Sequence, residues 1–281
     1  MIKSEYITYG FILLFILSLV YIIYKNPSHI SLSQNIHHYL SYDINTEKIN
    51  CYSDNTFYRK LKSVYMSQTV KTNLVTTIND FIKNSNKFKQ NNIPRSLRII
   101  LSGQEGIGKR TLIEALATEI NHSIIHFPKN EYSEKMLHTF FMNINNIIIS
   151  NNIIVFDNID FNYIYQNNSH LYILLSELII KNDKKNIFIF IFNDIKSILP
   201  TFASNFHIHH HYHIDANIKY IMNMIKDNIL DDQNKNIKLK NIKNTFLKLN
   251  HKITPGYIFP YLLFSENFEK SLDRFLKIVN N

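Results

Sequence analysis

Four short apolar runs punctuate the middle of the chain, at residues 97–101, 123–127, 153–156 and 187–192. Each is rich in Ile, Val, Leu or Phe and ends in polar residues, the pattern of a strand buried on both faces. The stretches between them, 109–120, 132–148 and 168–181, carry apolar residues at helical spacing. So does 72–86, where Val75, Ile78, Phe81 and Ile82 share one side of a helix. Continuous strands alternating with amphipathic helices predict an α/β fold with a parallel sheet covered by helices on both faces. Beyond residue 215 the pattern is helical and lysine-rich to the end.

The N-terminus follows a different rule. Tyr6 to Tyr24 contain no charge and are bracketed by Glu5 and Lys25. At helical rise such a stretch spans about 28 Å, close to the thickness of a bilayer's hydrocarbon core. Tyr6 and Tyr9 stand near one end, Tyr21 and Tyr24 near the other, where phenol rings favour the membrane interface. No small-residue cleavage site follows, so the segment reads as a retained single-pass anchor rather than a signal peptide. The expected organisation is an anchor over 1–25, a juxtamembrane segment with room for a strand or two over 26–71, an α/β domain over 72–215, and a smaller helical segment over 216–281.

Composition adds exclusions. With 45% hydrophobic residues the chain is not wholly disordered, and the single cysteine, Cys51, excludes an internal disulfide and a four-cysteine metal site. A net charge of +9 is compatible with an ordinary globular surface. No helix-turn-helix, zinc-finger or RNA-binding motif is visible, so no nucleic-acid partner is expected. Three of the five glycines fall between positions 103 and 108.

That cluster carries the chemistry. Ser102 is followed by Gly103, Gln104, Glu105, Gly106, Ile107, Gly108, Lys109, Arg110 and Thr111. Gly103, Gly108 and Lys109 fit the phosphate-loop spacing, a glycine, four residues, then Gly-Lys, between a predicted strand and a predicted helix. Glycines let backbone N–H groups approach phosphate oxygens, the helix N-terminus adds its dipole, and Lys109 supplies a cation for the β- and γ-phosphates of ATP or the β-phosphate of ADP. One position departs from the pattern. The Ser or Thr whose hydroxyl binds Mg²⁺ is replaced by Arg110, and Thr111 comes one residue late. A guanidinium cannot ligate a cation but can pair with a phosphate or a carboxylate. Nucleotide binding with little or no magnesium dependence is the expectation.

The strand at 153–156 ends in Asp157, the candidate to hold a metal's water shell if Mg²⁺ binds, followed by Asn158 where a general base would stand. An amide can orient water but cannot take its proton, and losing a general base typically costs about 10²–10⁴ in rate. Asn193 ends the next strand, placed to reach between Asp157 and a γ-phosphate. The five arginines are Arg59, Arg95, Arg98, Arg110 and Arg274, so none falls in the interval where ring ATPases carry the finger that reaches a neighbour's nucleotide.

From Val75 to Ala117 the text resembles the entry to the AAA domain of the mitochondrial Rieske-protein translocases, the cytochrome bc complex assembly chaperones. An amphipathic helix, an Ile-Pro-Arg approach at 93–95, a strand, a phosphate loop and a helix follow in order. Phe156-Asp157-Asn158-Ile159-Asp160 is similar to that family's acidic strand end, Asn193 to its first sensor, and Thr254-Pro255-Gly256 to a lid motif that often reads Thr-Pro-Ala. The family also carries one N-terminal transmembrane helix. The resemblance implies an AAA+ sheet with a helical lid, ATP and a homo-oligomeric ring. ATP and a single reduced cysteine fit the same compartments, so the C-terminal domain is expected to face cytosol or mitochondrial matrix. Arg110, Asn158 and the missing finger stand against hydrolysis.

Three functions stay open: a membrane-anchored, hydrolysis-impaired ATP-binding scaffold, an active ATPase that remodels or translocates a protein substrate, and a structural membrane protein with a vestigial loop. A last signal is His207, His209, His211 and His213, alternating along a predicted strand. Same-face neighbours lie nearly 7 Å apart and chelate a metal poorly, so an edge strand is the expectation.

Overall fold

A computed structural model describes residues 36–43, 48–56, 59–128, 132–146, 152–182, 184–194, 200–228 and 254–258, with isolated positions between. The chain divides into two compact units, residues 1–34 and 35–281, and all described residues belong to the second. The apolar stretch 6–24 lies outside them; among the described residues no helix is long and apolar enough to cross a membrane.

Strands β1 (Ile36–Asp43) and β2 (Lys48–Thr56) form an antiparallel hairpin. A single 3-10 turn, Leu61–Ser63, leads to helices α1 (Gln68–Lys83) and α2 (Ser85–Gln90). Then come β3 (Leu97–Ser102), α3 (Lys109–Ile120), β4 (Ser123–His126), α4 (Glu134–Asn146) and β5 (Asn152–Asp157). Helices α5 (Phe161–Asn167) and α6 (Ser169–Ile180) precede β6 (Ile187–Phe192), followed by a one-turn helix α7 (Phe202–Asn205), β7 (His210–His213) and α8 (Ile218–Asn228). The sheet order is β2-β1-β4-β5-β6-β3-β7. From β1 to β7 every pairing is parallel.

The central strands are buried along their whole length, and this explains their unbroken apolar sequence. Alternation then sorts residue size by face. On β6, Phe188, Phe190 and Phe192 enter an aromatic core with α4, α5 and α6, built on Phe140, Phe161 and Tyr172. Ile187, Ile189 and Ile191 point the other way, against α1 and α3 through Leu74, Ile78, Leu112 and Leu116. The α/β expectation holds, with two differences. The segment 26–71 contributes a hairpin whose β1 pairs with β4 and extends the sheet. The stretch after Asp160, outside the elements that the sequence pattern predicts, forms α5 because Asp160 Oδ1 accepts from Tyr163 N at 2.9 Å and starts a helix there.

Candidate functional site: a phosphate loop between two cavities

The carboxyl ends of β3, β5 and β6 meet on one edge of the sheet. The chain leaves β3 towards β4 on one side while β7 lies on the other, so the loop after β3 sits at a switch in strand order, where open α/β sheets bind ligands. Gly103 N donates to Phe192 O at 3.2 Å, tying the start of the loop to β6. Ile107 is buried in the core beneath it. Helix α3 is fixed to the sheet by Leu112, Ile113 and Leu116, so its first turn is held rigidly under the loop.

Lys109 is nearly buried. Its Nζ donates to Gly103 O, to Gln104 O at 3.0 Å and to Asn193 Oδ1 at 3.0 Å. Asn193 Nδ2 in turn donates to Asn158 Oδ1 at 3.3 Å. The lysine is therefore held on loop carbonyls that a phosphate would replace. Arg110 Nε donates to Asp157 Oδ2 at 2.5 Å, with Asp157 almost wholly buried and Arg110 largely exposed. Asn158 has φ +57°, a left-handed conformation that asparagine tolerates better than glutamate. Thus the residue that departs from the general-base pattern also suits its backbone. Asp160, the other acid nearby, is occupied as the cap of α5.

These groups converge. A cavity of about 350 Å³ is lined by Glu105, Gly106, Gly108, Lys109, Arg110, Thr111, Asp157, Asn158 and Asn193, with Ile191, Gly256 and Tyr257. Gly103 and Gln104 lie outside this lining and act through their carbonyls on Lys109. A second, more apolar cavity of about 310 Å³ shares Gly106, Gly108, Thr111 and Gly256 with the first and adds Ile107, Val64, Tyr65, Met224 and Pro255. The sequence pattern did not single out Val64, Tyr65 or Met224, which belong to no motif and come from distant segments. Lys71 Nζ donates to Val64 O at 3.0 Å and so braces that wall. Arg59 Nε pairs with Glu114 Oε2 at 2.9 Å, tying the same approach segment to α3.

Thr254-Pro255-Gly256 lies on the loop itself. Gly256 N donates to Gly106 O at 2.8 Å. The histidine strand is an edge strand, as expected, but begins at His210, because His207 with φ +46° closes the turn after α7. His211 Nε2 and His213 Nδ1 lie 2.7 and 2.8 Å from Ser102 Oγ, immediately before Gly103. His209 packs on Arg98, with Arg98 Nη2 3.1 Å from its Nε2, and burial followed by that cation pushes its pKa down to about 4. The histidines thus fasten β7 to β3. Among the described residues no group of three His, Cys, Asp or Glu is placed to hold a metal ion.

Burial lowers the Lys109 pKa to about 8, against the opposing pull of Asp157 and Glu105 and with a further push down from Arg110. A polyphosphate beside Nζ raises it again, so binding takes up a proton wherever the free site is deprotonated. Affinity for ATP is then expected to fall as pH rises above about 8, approaching tenfold per pH unit. Calorimetry in buffers of different ionisation heat reads the proton uptake directly; a flat profile and no uptake across that range would show that Lys109 stays charged in the free site.

Comparison with known proteins agrees with this geometry. Residues 99–214 match the family described as "ATPase family associated with various cellular activities (AAA)". A segment of 66 residues is 36% identical to the "Probable mitochondrial chaperone BCS1-A" of Dictyostelium discoideum, covering 24% of this chain and 16% of that protein. The fold is similar to that in "Structure of C. elegans PCH-2", with a TM-score of 0.56 at 12% identity over 78% of this chain and 70% of the other. Residues 99–214 thus match an AAA-family ATPase domain, and the 66-residue segment is similar to a BCS1 chaperone.

Proposed function

We propose that this chain is a membrane-anchored AAA module that binds ATP, hydrolyses it slowly or not at all, and acts as an oligomeric, chaperone-like scaffold. The observation that carries the reading is the convergence of Lys109, Asp157 and Asn193 on an open cavity at the end of a glycine loop. The triphosphate tail lies in this polar cavity and the base in the apolar one beside Val64, Tyr65 and Met224. Both volumes are in the range of small-ligand sites. Open space at the loop speaks against a vestigial one. Impaired hydrolysis is supported by Asn158 at the general-base position and by the lack of any arginine between 111 and 273 to serve as a finger. The anchor rests on the uncharged stretch 6–24.

A second reading, an active ATPase that remodels or translocates a protein at a membrane, is favoured by the 66-residue similarity to a chaperone. Purified chain separates the two. The expected result is ATP binding by calorimetry, weakened by Lys109→Ala, with phosphate release from the wild type no greater than from that variant. Sustained release that Lys109→Ala abolishes would establish the active ATPase instead.

A further inference from the structure

We infer that Arg110 takes the place of the divalent cation at this site, so that the chain binds a nucleoside triphosphate without magnesium, using its own guanidinium as the counter-charge. This rests on the nucleotide-binding reading above and deepens it. The two positions on which a magnesium ion would depend are both altered. The hydroxyl expected directly after the loop lysine is absent, because Arg110 stands there. The carboxylate at the end of β5 is already engaged, because Asp157 Oδ2 accepts from Arg110 Nε at 2.5 Å. Thr111, one residue on, is rotated about 100° around α3 from that position. The residues present therefore do not fit an Mg²⁺ ion between Asp157 and the phosphates.

They do fit a fixed cation. Asp157 keeps only 8% of its side chain exposed and is held at the end of a buried strand, so it anchors the guanidinium from one side. Arg110 keeps 60% of its side chain exposed and lines the same cavity as Lys109. Only Nε is spent on the carboxylate, and the two Nη groups bear the guanidinium's other four N–H donors, a planar fork suited to phosphate oxygens. A magnesium ion entering beside Asp157 would have to displace this partner and then sit next to two cations, Arg110 and Lys109. Like-charge repulsion in a partly enclosed site opposes that exchange. The same pair accounts for the chemistry proposed above. Arg110 neutralises the phosphates of the bound nucleotide but supplies no oriented metal-bound water.

The test measures ATP affinity of the full-length chain in excess Mg²⁺ and in excess EDTA, together with the electron paramagnetic resonance of Mn²⁺–ATP on adding protein. The wild type is expected to bind ATP with dissociation constants within about threefold in the two media, with the Mn²⁺ spectrum unchanged by protein side chains. Arg110→Thr, which frees Asp157 and restores a hydroxyl, is expected to lose about tenfold in EDTA, to regain it in Mg²⁺, and to perturb the Mn²⁺ spectrum. Wild-type binding that needs Mg²⁺, or Mn²⁺ ligated by the wild-type site, overturns the inference and leaves the nucleotide reading standing. No ATP binding in either medium overturns both.

Discussion

Gly256→Val is expected to weaken ATP binding about ten- to hundredfold while the core stays folded, because overpacking at a close contact costs about 1–3 kcal/mol and each factor of ten is about 1.4 kcal/mol. A Cβ on Gly256 would lie 2.8 Å from Gly106 Cα and 2.9 Å from Gly106 O. These are backbone atoms of the phosphate loop and cannot rotate aside. Either the 254–258 segment lifts, which breaks the Gly256 N to Gly106 O hydrogen bond of 2.8 Å, or the loop itself moves. Lifting withdraws Gly256 and Tyr257 from the polar cavity and Pro255 from the apolar one. Moving the loop disturbs Gly106, whose φ of +74° an L side chain rarely adopts and whose own Cβ would meet Thr254 Oγ1 at 2.4 Å. Gly106→Ala should therefore damage the same contact from the other side. Gly256 is solvent-exposed, so the thermal midpoint and circular dichroism should change little. Wild-type affinity in Gly256→Val would mean that the two glycines do not meet in solution.

That contact also marks the boundary of what the sequence disclosed. The lid motif at Thr254-Pro255-Gly256 is visible in the sequence as a resemblance. Only the fold shows that two glycines from opposite ends of the domain touch, which no periodicity encodes. The strands β3 to β6 were legible because burial on both faces forces an unbroken apolar run. The β1–β2 hairpin was not. Its sequence mixes histidine, tyrosine, serine and aspartate without alternation, and it sits at the outer end of the sheet. The loop residues 103–111, Asp157 and Asn193 were legible because phosphate chemistry dictates residue type at fixed spacing. The walls of the apolar cavity at Val64, Tyr65 and Met224 were not, because an apolar wall is set by shape, and many apolar residues serve equally well. The pairing of Arg110 with Asp157 lay between these cases. Both residues stood out singly, but their contact is long-range and appears only when α3 and β5 are set side by side.

The largest effect on stability is expected from Phe190→Ala, about 3–5 kcal/mol by analogy with other large-to-small core substitutions. Phe190 is fully buried at the centre of β6. Its ring stacks on Phe156 at 4.9 Å and meets Phe202, Phe206 and Phe161 at 5.3, 5.5 and 5.8 Å. Alanine would remove the hub of this cluster, and four rigid rings cannot all shift to fill the void. Against a typical total of about 5–15 kcal/mol, such a loss takes a large share of the folding free energy. The consequence reaches the site through two strands. Phe190 pairs in register with Phe156, the residue before Asp157, and lies three residues before Asn193 on its own strand. Loosening it should blur the positions of both, so nucleotide affinity should fall at temperatures where the variant is still mostly folded. Urea denaturation measures the stability change as a lower midpoint at unchanged slope. Tyr163→Ala, at a side chain 63% exposed, serves as the contrast and should stay within about 0.5 kcal/mol of wild type. A cost below about 1 kcal/mol for Phe190→Ala would mean the aromatic layer is loosely packed, and the rigid placement of Asp157 and Asn193 would then need another source.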